Sequence, residues 1–567
     1  MNLEILGIIL MFLVTLIIGV PLGRYIARVY AGEKTILDFL SPIERFFYRI
    51  SGIDPNKEMN WKENMLAMLT INLVWFIFCF VILVVQQWLP LNPDKNPNML
   101  PDQAFNTAIS FLVNCDLQHY SGESAATYFT QLACMMFLMF VSAGTGLAAA
   151  AILMNALKLR TSTELGNFYN YFMKSCTRIL LPLSIVLAIV LMMNGMPMTF
   201  HAKDTITTLQ GDTVQVSRGP VAAFVPIKHI GTNGGGFYGA NSAHPLENPN
   251  YITNFILMVS QCILPFAIVF ALGFYLKKQK FAWMVFGVMT IGFLCLVAPT
   301  VMSEIHGNPA IAKMGIDNTA GAMEGKEVRF GPAASGYWSI MTTVISTGSV
   351  NCMHDSTMPL SGMNQLWAMM VNCFYGGKGV GFMNFYIFII IAVFMSGLMV
   401  GRTPEFHGKK IEAKEMKIAS IVTLWHPLLI LAFAAVACFV YVHHPIKYGY
   451  WLNNPGYHGF SEMLYEYTSA SANNGSGFEG LGDTPSKFWN VTTGFVLIFG
   501  RYLPIIGQIA IAGSLAGKKF IPESAGTLKT DTVTFGVMVF AVIVIIAALS
   551  FFPALSLGPI AEYFSRR

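Results

Sequence analysis

Ten apolar stretches, each close to the length that crosses a bilayer, dominate this chain. They fall at about 3–21, 65–88, 127–156, 169–193, 253–276, 281–303, 379–400, 418–442, 489–515 and 533–555. A helix rises 1.5 Å per residue, so roughly 20 apolar residues span a hydrocarbon core about 30 Å thick. A chain with ten such stretches needs lipid as its solvent. Charge agrees: only 11% of the 567 residues are charged, against roughly 25% in soluble proteins. That excludes an ordinary cytosolic enzyme and a disordered chain. The net charge of +5 is too small and too dispersed for a nucleic-acid partner. The nine cysteines show no CxxC spacing and mostly sit inside apolar runs, where they read as small core residues. Pro21 and Arg24, and no small-residue cleavage site, follow the first run, which therefore reads as a retained span.

Positive residues choose the orientation. With the N-terminus outside, the inner segments hold 22 of the 35 Lys and Arg residues, as positive-inside topology requires. The C-terminus then also lies outside, where Arg566 and Arg567 run against the trend.

The outer connections share one pattern. A short apolar or amphipathic stretch runs into a cluster of Gly, Asn, Ser and Thr, and a new span follows. Phe105–Leu112 leads to Val113-Asn114-Cys115-Asp116-Leu117-Gln118, and Val221–Ile230 leads to Gly231-Thr232-Asn233-Gly234-Gly235-Gly236. Tyr337–Ile345 leads to Ser346-Thr347-Gly348-Ser349-Val350, and Met463–Ala470 to Ser471-Ala472-Asn473-Asn474-Gly475-Ser476-Gly477. Taking Asn114, Asn233, Gly348 and Asn473 as markers, the intervals are 119, 115 and 125 residues. So even a period signals internal repeats. The expected fold is an all-α polytopic membrane protein with about ten transmembrane helices. Four span–pore-loop–span pseudo-repeats surround a central selectivity filter, with one extra helix at each end. The segments are 1–60 (extra helix and inner linker), 61–160, 161–280, 281–415 and 416–525 (repeats one to four), and 526–567 (extra C-terminal helix).

Non-helical backbone survives at membrane depth only where it is buried in protein or lines a watery cavity. Four re-entrant turns around one axis can aim carbonyls inward and replace the water shell of a cation. Glycine permits the backbone angles this needs, and the electronegative C-terminal ends of the half-helices point at the ion. Neutral oxygens with few carboxylates suit a monovalent cation; K⁺ leads and Na⁺ stays open. The candidate ion-binding residues are Val113, Asn114, Cys115, Asp116 and Gln118; Thr232, Asn233 and Gly234; Ser346, Thr347 and Gly348; and Asn473, Asn474 and Gly475. Gly376, Gly377, Lys378 and Gly379 interrupt a helical region beyond the third turn and read as a flexible gating loop. Arg501 lies within an otherwise apolar span, and an intramembrane Arg usually faces a cavity or partner. His119, His354 and Asp355 suggest a metal site in a membrane enzyme, but no His-Glu-x-x-His occurs and polar anchoring of the outer vestibule explains them. The basic stretch Arg402–Lys417 sets topology or meets inner partner domains.

Glu58-Met59-Asn60-Trp61-Lys62, Gly231-Thr232-Asn233-Gly234-Gly235-Gly236-Phe237 and His244-Pro245-Leu246-Glu247-Asn248-Pro249 form part of an ordered set of motifs. Met323-Glu324-Gly325-Lys326-Glu327, Met353-His354-Asp355-Ser356, Gly401-Arg402-Thr403-Pro404-Glu405 and Leu557-Gly558-Pro559 before Ala561-Glu562-Tyr563 continue it. In these the chain resembles, over essentially its whole length, the family of potassium-binding A subunits of the bacterial Kdp potassium-transporting ATPase. The resemblance implies the superfamily-of-K⁺-transporters fold and a place in the bacterial inner membrane as a multi-pass protein. It implies a complex with a P-type ATPase (the B subunit), a C subunit and a small single-span F subunit. K⁺ is then the transported ion, bound at the filter. ATP is hydrolysed in the partner, with no ATP, organic cofactor or nucleic acid on this chain and with membrane lipid around the complex. The absence of a Gly-x-x-x-x-Gly-Lys-[Ser/Thr] loop and of an Asp-Lys-Thr-Gly motif fits. In related transporters an arginine below the filter opposes leak, a role the resemblance gives Arg501. Three departures stand out. The family's first filter reads Asn-Thr-Asn-Trp-Gln where this chain has Asn114-Cys115-Asp116-Leu117-Gln118, which adds an acid. Ala472 replaces the first of three asparagines, and Thr347 stands where cysteine is common. Two other readings compete: a Trk/Ktr-like K⁺ translocating subunit gated by a cytoplasmic ring, and a membrane enzyme using His354 and Asp355.

Overall fold

A computed structural model describes residues 3–484, 486–522 and 528–565. The domain limit expected between 525 and 526, and Arg566 and Arg567, lie outside these residues. Helices carry nearly all of the architecture: α1 (Leu3–Ala31), α2 (Ser41–Ser51), α3 (Trp61–Val85), α4 (Pro101–Leu112), α5 (Tyr128–Lys158) and α6 (Phe168–Met193). Then come α7 (Val221–Ile230), α8 (Tyr251–Leu276), α9 (Gln279–His306), α10 (Gly331–Val344), α11 (Pro359–Val371) and α12 (Val380–Val400). The last are α13 (Ala413–His443), α14 (Tyr457–Ala472), α15 (Lys487–Ala516), α16 (Val533–Leu555) and α17 (Ala561–Ser565). Two short hairpins qualify the all-α expectation: β1 (Asp204–Thr207) with β2 (Thr213–Val216), and β3 (Glu405–Phe406) with β4 (Lys409–Lys410).

Among the described residues, ten helices are long and apolar enough to cross a membrane: α1, α3, α5, α6, α8, α9, α12, α13, α15 and α16, some extended by a following turn. Their starts are built by local chemistry. The Asn60 side chain accepts from the N–H groups of Lys62 and Glu63, while Glu63 accepts from the Asn60 N–H, so two orphan donors of α3 are met reciprocally. Asn250 with Thr253 does the same for α8. Between each pair of repeat spans sits a half-helix: α4, α7, α10 and α14. The third begins at Gly331, earlier than the expected Tyr337, because Pro332 pre-sets its first turn.

α5 and α8 are buried along most of their length, whereas α1, α3 and α13 turn most of their surface outward. α1 lies along α8, where Gly23 faces the Ala267 carbonyl so closely that a Cβ would come within 2.5 Å of it. α16 packs on α9 and α12, with Phe540 stacked on Phe374. At the inner edge, Arg178 binds Glu44 of α2 and Asp38, both at 2.6 Å, and ties the inner linker to α6. Arg178 sits in a π turn, Ser175–Leu180; a second, Gln131–Met136, lies in α5.

Candidate functional site

The four half-helices end in four loops that share one backbone pattern. Positive φ occurs at Asn114 and Asp116, at Thr232 and Gly234, at Ser346 and Gly348, and at Asn473 and Gly475. The residue between them sends its N–H back five positions into its own half-helix: Cys115 to Ser110 O, Asn233 to Lys228 O, Thr347 to Thr342 O and Asn474 to Ser469 O. The equivalent first positions are therefore Asn114, Thr232, Ser346 and Asn473. The markers chosen by residue type were out of register by one residue in the second loop and two in the third. Val113 still donates its N–H to Ile109 O at 2.9 Å and so belongs to the end of α4, ahead of the bend.

N–H groups turned back to the half-helices leave the carbonyl edge facing the neighbouring loops. A Cβ on Gly234 would overlap the Thr347 carbonyl oxygen, one on Gly348 the Asn474 oxygen, and one on Gly475 the Cys115 oxygen. The loops thus form a ring in chain order, each third-position glycine seated on the second-position carbonyl of the next loop. Asp116 holds the fourth third position, at φ 57°, where the other three loops have glycine. Its Oδ2 accepts from the Gly235 N–H at 3.4 Å, and Asn114 Nδ2 donates to Thr232 O at 2.8 Å, which joins the first loop to the second.

Second-position side chains point behind the ring. Cys115 Sγ reaches Ser469 O, Asn474 Nδ2 donates to Thr342 O at 2.9 Å, and Asn233 Nδ2 donates to Ile227 O at 3.1 Å. Thr347 is fully buried, and its hydroxyl has no partner among the described residues. Gln118 braces the loops from outside: its Nε2 donates to Gly236 O and its Oε1 accepts from the Gly236 N–H at 2.7 Å.

Buried ion pairs stiffen the second and third loops. Lys228 at the end of α7 bonds Glu247 Oε2 at 2.6 Å, with both side chains wholly buried, and Glu247 also accepts from the Phe237 and Tyr238 N–H groups. Lys326 meets Glu304 at 2.9 Å, also wholly buried. The outer vestibule has two histidine bridges. His119 Nε2 lies 2.9 Å from Glu466 and its Nδ1 lies 2.7 Å from Asn490 Oδ1. Burial pushes the His119 imidazole down, but Asp483 and Glu466 outweigh it and hold it at about 9. His458 joins Asp355 at 2.8 Å to Glu562 of α17 at 3.0 Å. His354 is bonded through Nδ1 to the Tyr465 hydroxyl at 2.9 Å, a brace within the third and fourth repeats. Sequence reasoning missed Lys228, Glu247, Ser142, whose hydroxyl donates to Asn114 Oδ1 at 2.9 Å, and Asn241, whose Nδ2 donates to Gly234 O at 2.8 Å. A lysine inside the apolar half-helix Val221–Ile230 was the available signal for the first.

Beneath the ring lies a cavity of about 80 Å³ bounded by Asn114, Ser346, Asn473, Gly377 and Arg501, and reaching His426 of α13 and Ser550 of α16. The break between α11 and α12, which holds Gly376, Gly377, Lys378 and Gly379, crosses this underside. The Lys378 N–H lies 3.4 Å from Thr232 Oγ1, and Lys378 Nζ donates to Asn114 Oδ1 at 2.6 Å. Arg501 is buried with Nη2 3.5 Å from Ser142 O.

Residues 9–564 match the family model described as the potassium-transporting ATPase A subunit. The chain belongs to this family. Among relatives named "Potassium-transporting ATPase potassium-binding subunit", one from Flavobacterium johnsoniae is 67% identical over 100% of both chains. Others, from Parabacteroides distasonis and Geobacillus kaustophilus, are 60% and 48% identical, the last over 98% of each chain. Among solved structures, the potassium transporter TrkH from Vibrio parahaemolyticus shares the fold at TM-score 0.50 and 14% identity, covering 89% of this chain and 98% of that one. This chain therefore shares the fold of TrkH, with ten candidate spans among its described residues. It is a multi-pass membrane protein.

Proposed function

We propose that this chain is the K⁺-binding and translocating subunit of an ATP-driven K⁺ importer in a bacterial inner membrane. The reading rests on the ring of four loops in which three glycines seat neighbouring carbonyls, in a chain of the A-subunit family. K⁺ enters from outside and loses its water to the carbonyls of Asn114, Cys115 and Asp116, of Thr232, Asn233 and Gly234, of Ser346, Thr347 and Gly348, and of Asn473, Asn474 and Gly475. Val113 and Gln118 act as supports. Segments 61–160, 161–280, 281–415 and 416–525 are the four pore repeats. Gly376–Gly379 is the gate below the filter, and Arg501 raises the electrostatic barrier to leak. The ion leaves through the cavity toward a P-type ATPase, the B subunit, which hydrolyses ATP; a C subunit and a single-span F subunit complete the assembly.

The test is K⁺-stimulated ATPase and K⁺ uptake by the complex purified from its own operon. Gly234→Asp and Gly475→Ala should raise the K⁺ concentration for half-maximal activity by at least about tenfold, since each pushes a carbonyl off the ring. Unchanged K⁺ dependence in both would overturn the filter assignment. K⁺ flux by this chain alone, with no pump subunit co-purifying, would favour the Trk/Ktr-like reading.

A further inference from the structure

Two buried ionisable side chains of opposite type lie at the filter, and among the described residues neither has its full set of hydrogen-bond partners. Asp116 is fully buried; its Oδ2 takes one long bond from the Gly235 N–H, and its Oδ1 has no hydrogen-bond partner among the described residues. Lys378 is 1% exposed, and its ammonium, with three donors, bonds one protein acceptor among the described residues, Asn114 Oδ1 at 2.6 Å. Asp116 stands two residues beyond Asn114 in the same loop, so the ammonium and the carboxyl both attach to one short stretch of backbone. An isolated buried charge is costly, so each makes the other tolerable.

The position of the ammonium carries the argument. Asn114 is the first residue of its loop, at the cavity end of the filter, and the same Oδ1 lies 2.9 Å from the Ser142 hydroxyl. A lysine ammonium is a compact, strongly hydrated point charge. Bonded to the side-chain oxygen of a filter residue, it brings a positive charge to the end of the filter nearest the cavity, where it competes with the innermost ion. Its backbone belongs to the gating loop, with left-handed glycines at Gly376 and Gly379 on either side, so the chain can carry the charge in and out. Arg501 bounds the cavity, and Gly146 faces both its guanidinium and the Lys378 carbonyl, so a like charge stands on the cavity side of Lys378 and favours its seat on Asn114.

Resting on the filter reading above, we infer that Lys378 is a tethered cation, charge-matched to Asp116, that occupies the inner mouth of the filter and must be displaced for K⁺ to leave. Asp116 then serves in two states. With Lys378 seated, it balances the ammonium. With Lys378 withdrawn, it helps hold the arriving K⁺. Selectivity in this chain would depend on the pair as well as on the ring of carbonyls.

The experiment uses the whole complex and measures K⁺-stimulated ATPase and rubidium uptake, with Na⁺ as competitor, for Asp116→Asn, Lys378→Met, the double variant and Gly475→Ala. Asp116→Asn leaves the ammonium unbalanced at the mouth and should raise half-saturating K⁺ about tenfold. Lys378→Met leaves the acid unbalanced; it should lower half-saturating K⁺, slow maximal turnover, and let Na⁺ compete. The double variant should return half-saturating K⁺ to within about threefold of the parent. Purely additive single effects, or a Lys378→Met complex that loses turnover with no change in cation competition, would overturn the inference and leave Lys378 as a structural pin. Yield and melting temperature of each complex separate misfolding from these outcomes, and Lys378→Arg, which keeps the charge, supplies a second folded variant expected to resist Na⁺. Gly475→Ala separates the two levels. If it shifts K⁺ dependence while the charge pair behaves additively, only this inference fails; if it too has no effect, the filter reading fails.

Discussion

Glu247 shows how single residues hold a loop whose backbone makes few bonds of its own. Its Oε1 takes the Phe237 and Tyr238 N–H groups just past the second loop of the ring, and its Oε2 pairs with Lys228 at the end of α7. Lys228→Met alone should cost about 3–5 kcal/mol, because Glu247 is left charged and buried. Lys228→Met with Glu247→Gln should recover most of that loss, and thermal melts of the purified complex measure both. His458 gives a pH prediction. Burial pulls its imidazole down, but hydrogen bonds to Asp355 and Glu562 outweigh this and raise it from 6.5 to about 10. Its folded value lies above the unfolded one, so its stabilisation is complete below pH 6.5 and is lost as pH rises through about 10. The parent should therefore lose melting temperature across that window more steeply than His458→Gln; parallel profiles would show that the bridge contributes nothing. The residue types alone did not reveal these braces. Lys228 and Glu247 lie on separate elements, and only the folded chain shows that the lysine inside an apolar half-helix has an acid to meet.

At the scale of elements, the hydrophobic pattern was the readable part. All ten spans were visible as apolar runs, because a bilayer demands length and composition locally. The half-helices were visible too, as short stretches ending in Gly, Asn, Ser and Thr. Loop register was not. Asn and Gly served as markers by kind, whereas the equivalence of Asn114, Thr232, Ser346 and Asn473 rests on φ and on the returning N–H bonds. The break at Gly376–Gly379 was legible from glycine spacing, but its touching Thr232 and Asn114 was not, since those contacts join residues far apart in sequence. Gly376 lies at φ 57° and packs directly on Gly381. Gly376→Ala would drive a methyl into Gly381 at a left-handed position, so it should displace the loop and cut maximal K⁺ transport about tenfold, with half-saturating K⁺ within about threefold of the parent. A turnover-against-affinity comparison in the ATPase assay checks the split.

For the whole molecule, the two helices outside the repeats behave differently. α16 contributes Ser550 to the wall of the inner cavity, so the fourfold core is not closed by its own repeats. α1 instead lies along α8 through the close approach of Gly23 to the Ala267 carbonyl. Gly23→Leu should wedge the two apart and lower the yield and melting temperature of the complex, with the K⁺ dependence of the surviving molecules unchanged. That contact also sets a timetable for biogenesis. α1 ends at Ala31 and α8 begins at Tyr251. At about 5–20 residues per second, the ribosome needs roughly 10–40 s to deliver the partner. During that interval the first helix stands in lipid with its glycine face uncovered. Its apolar surface lets it wait there, and the second repeat, arriving late, captures it.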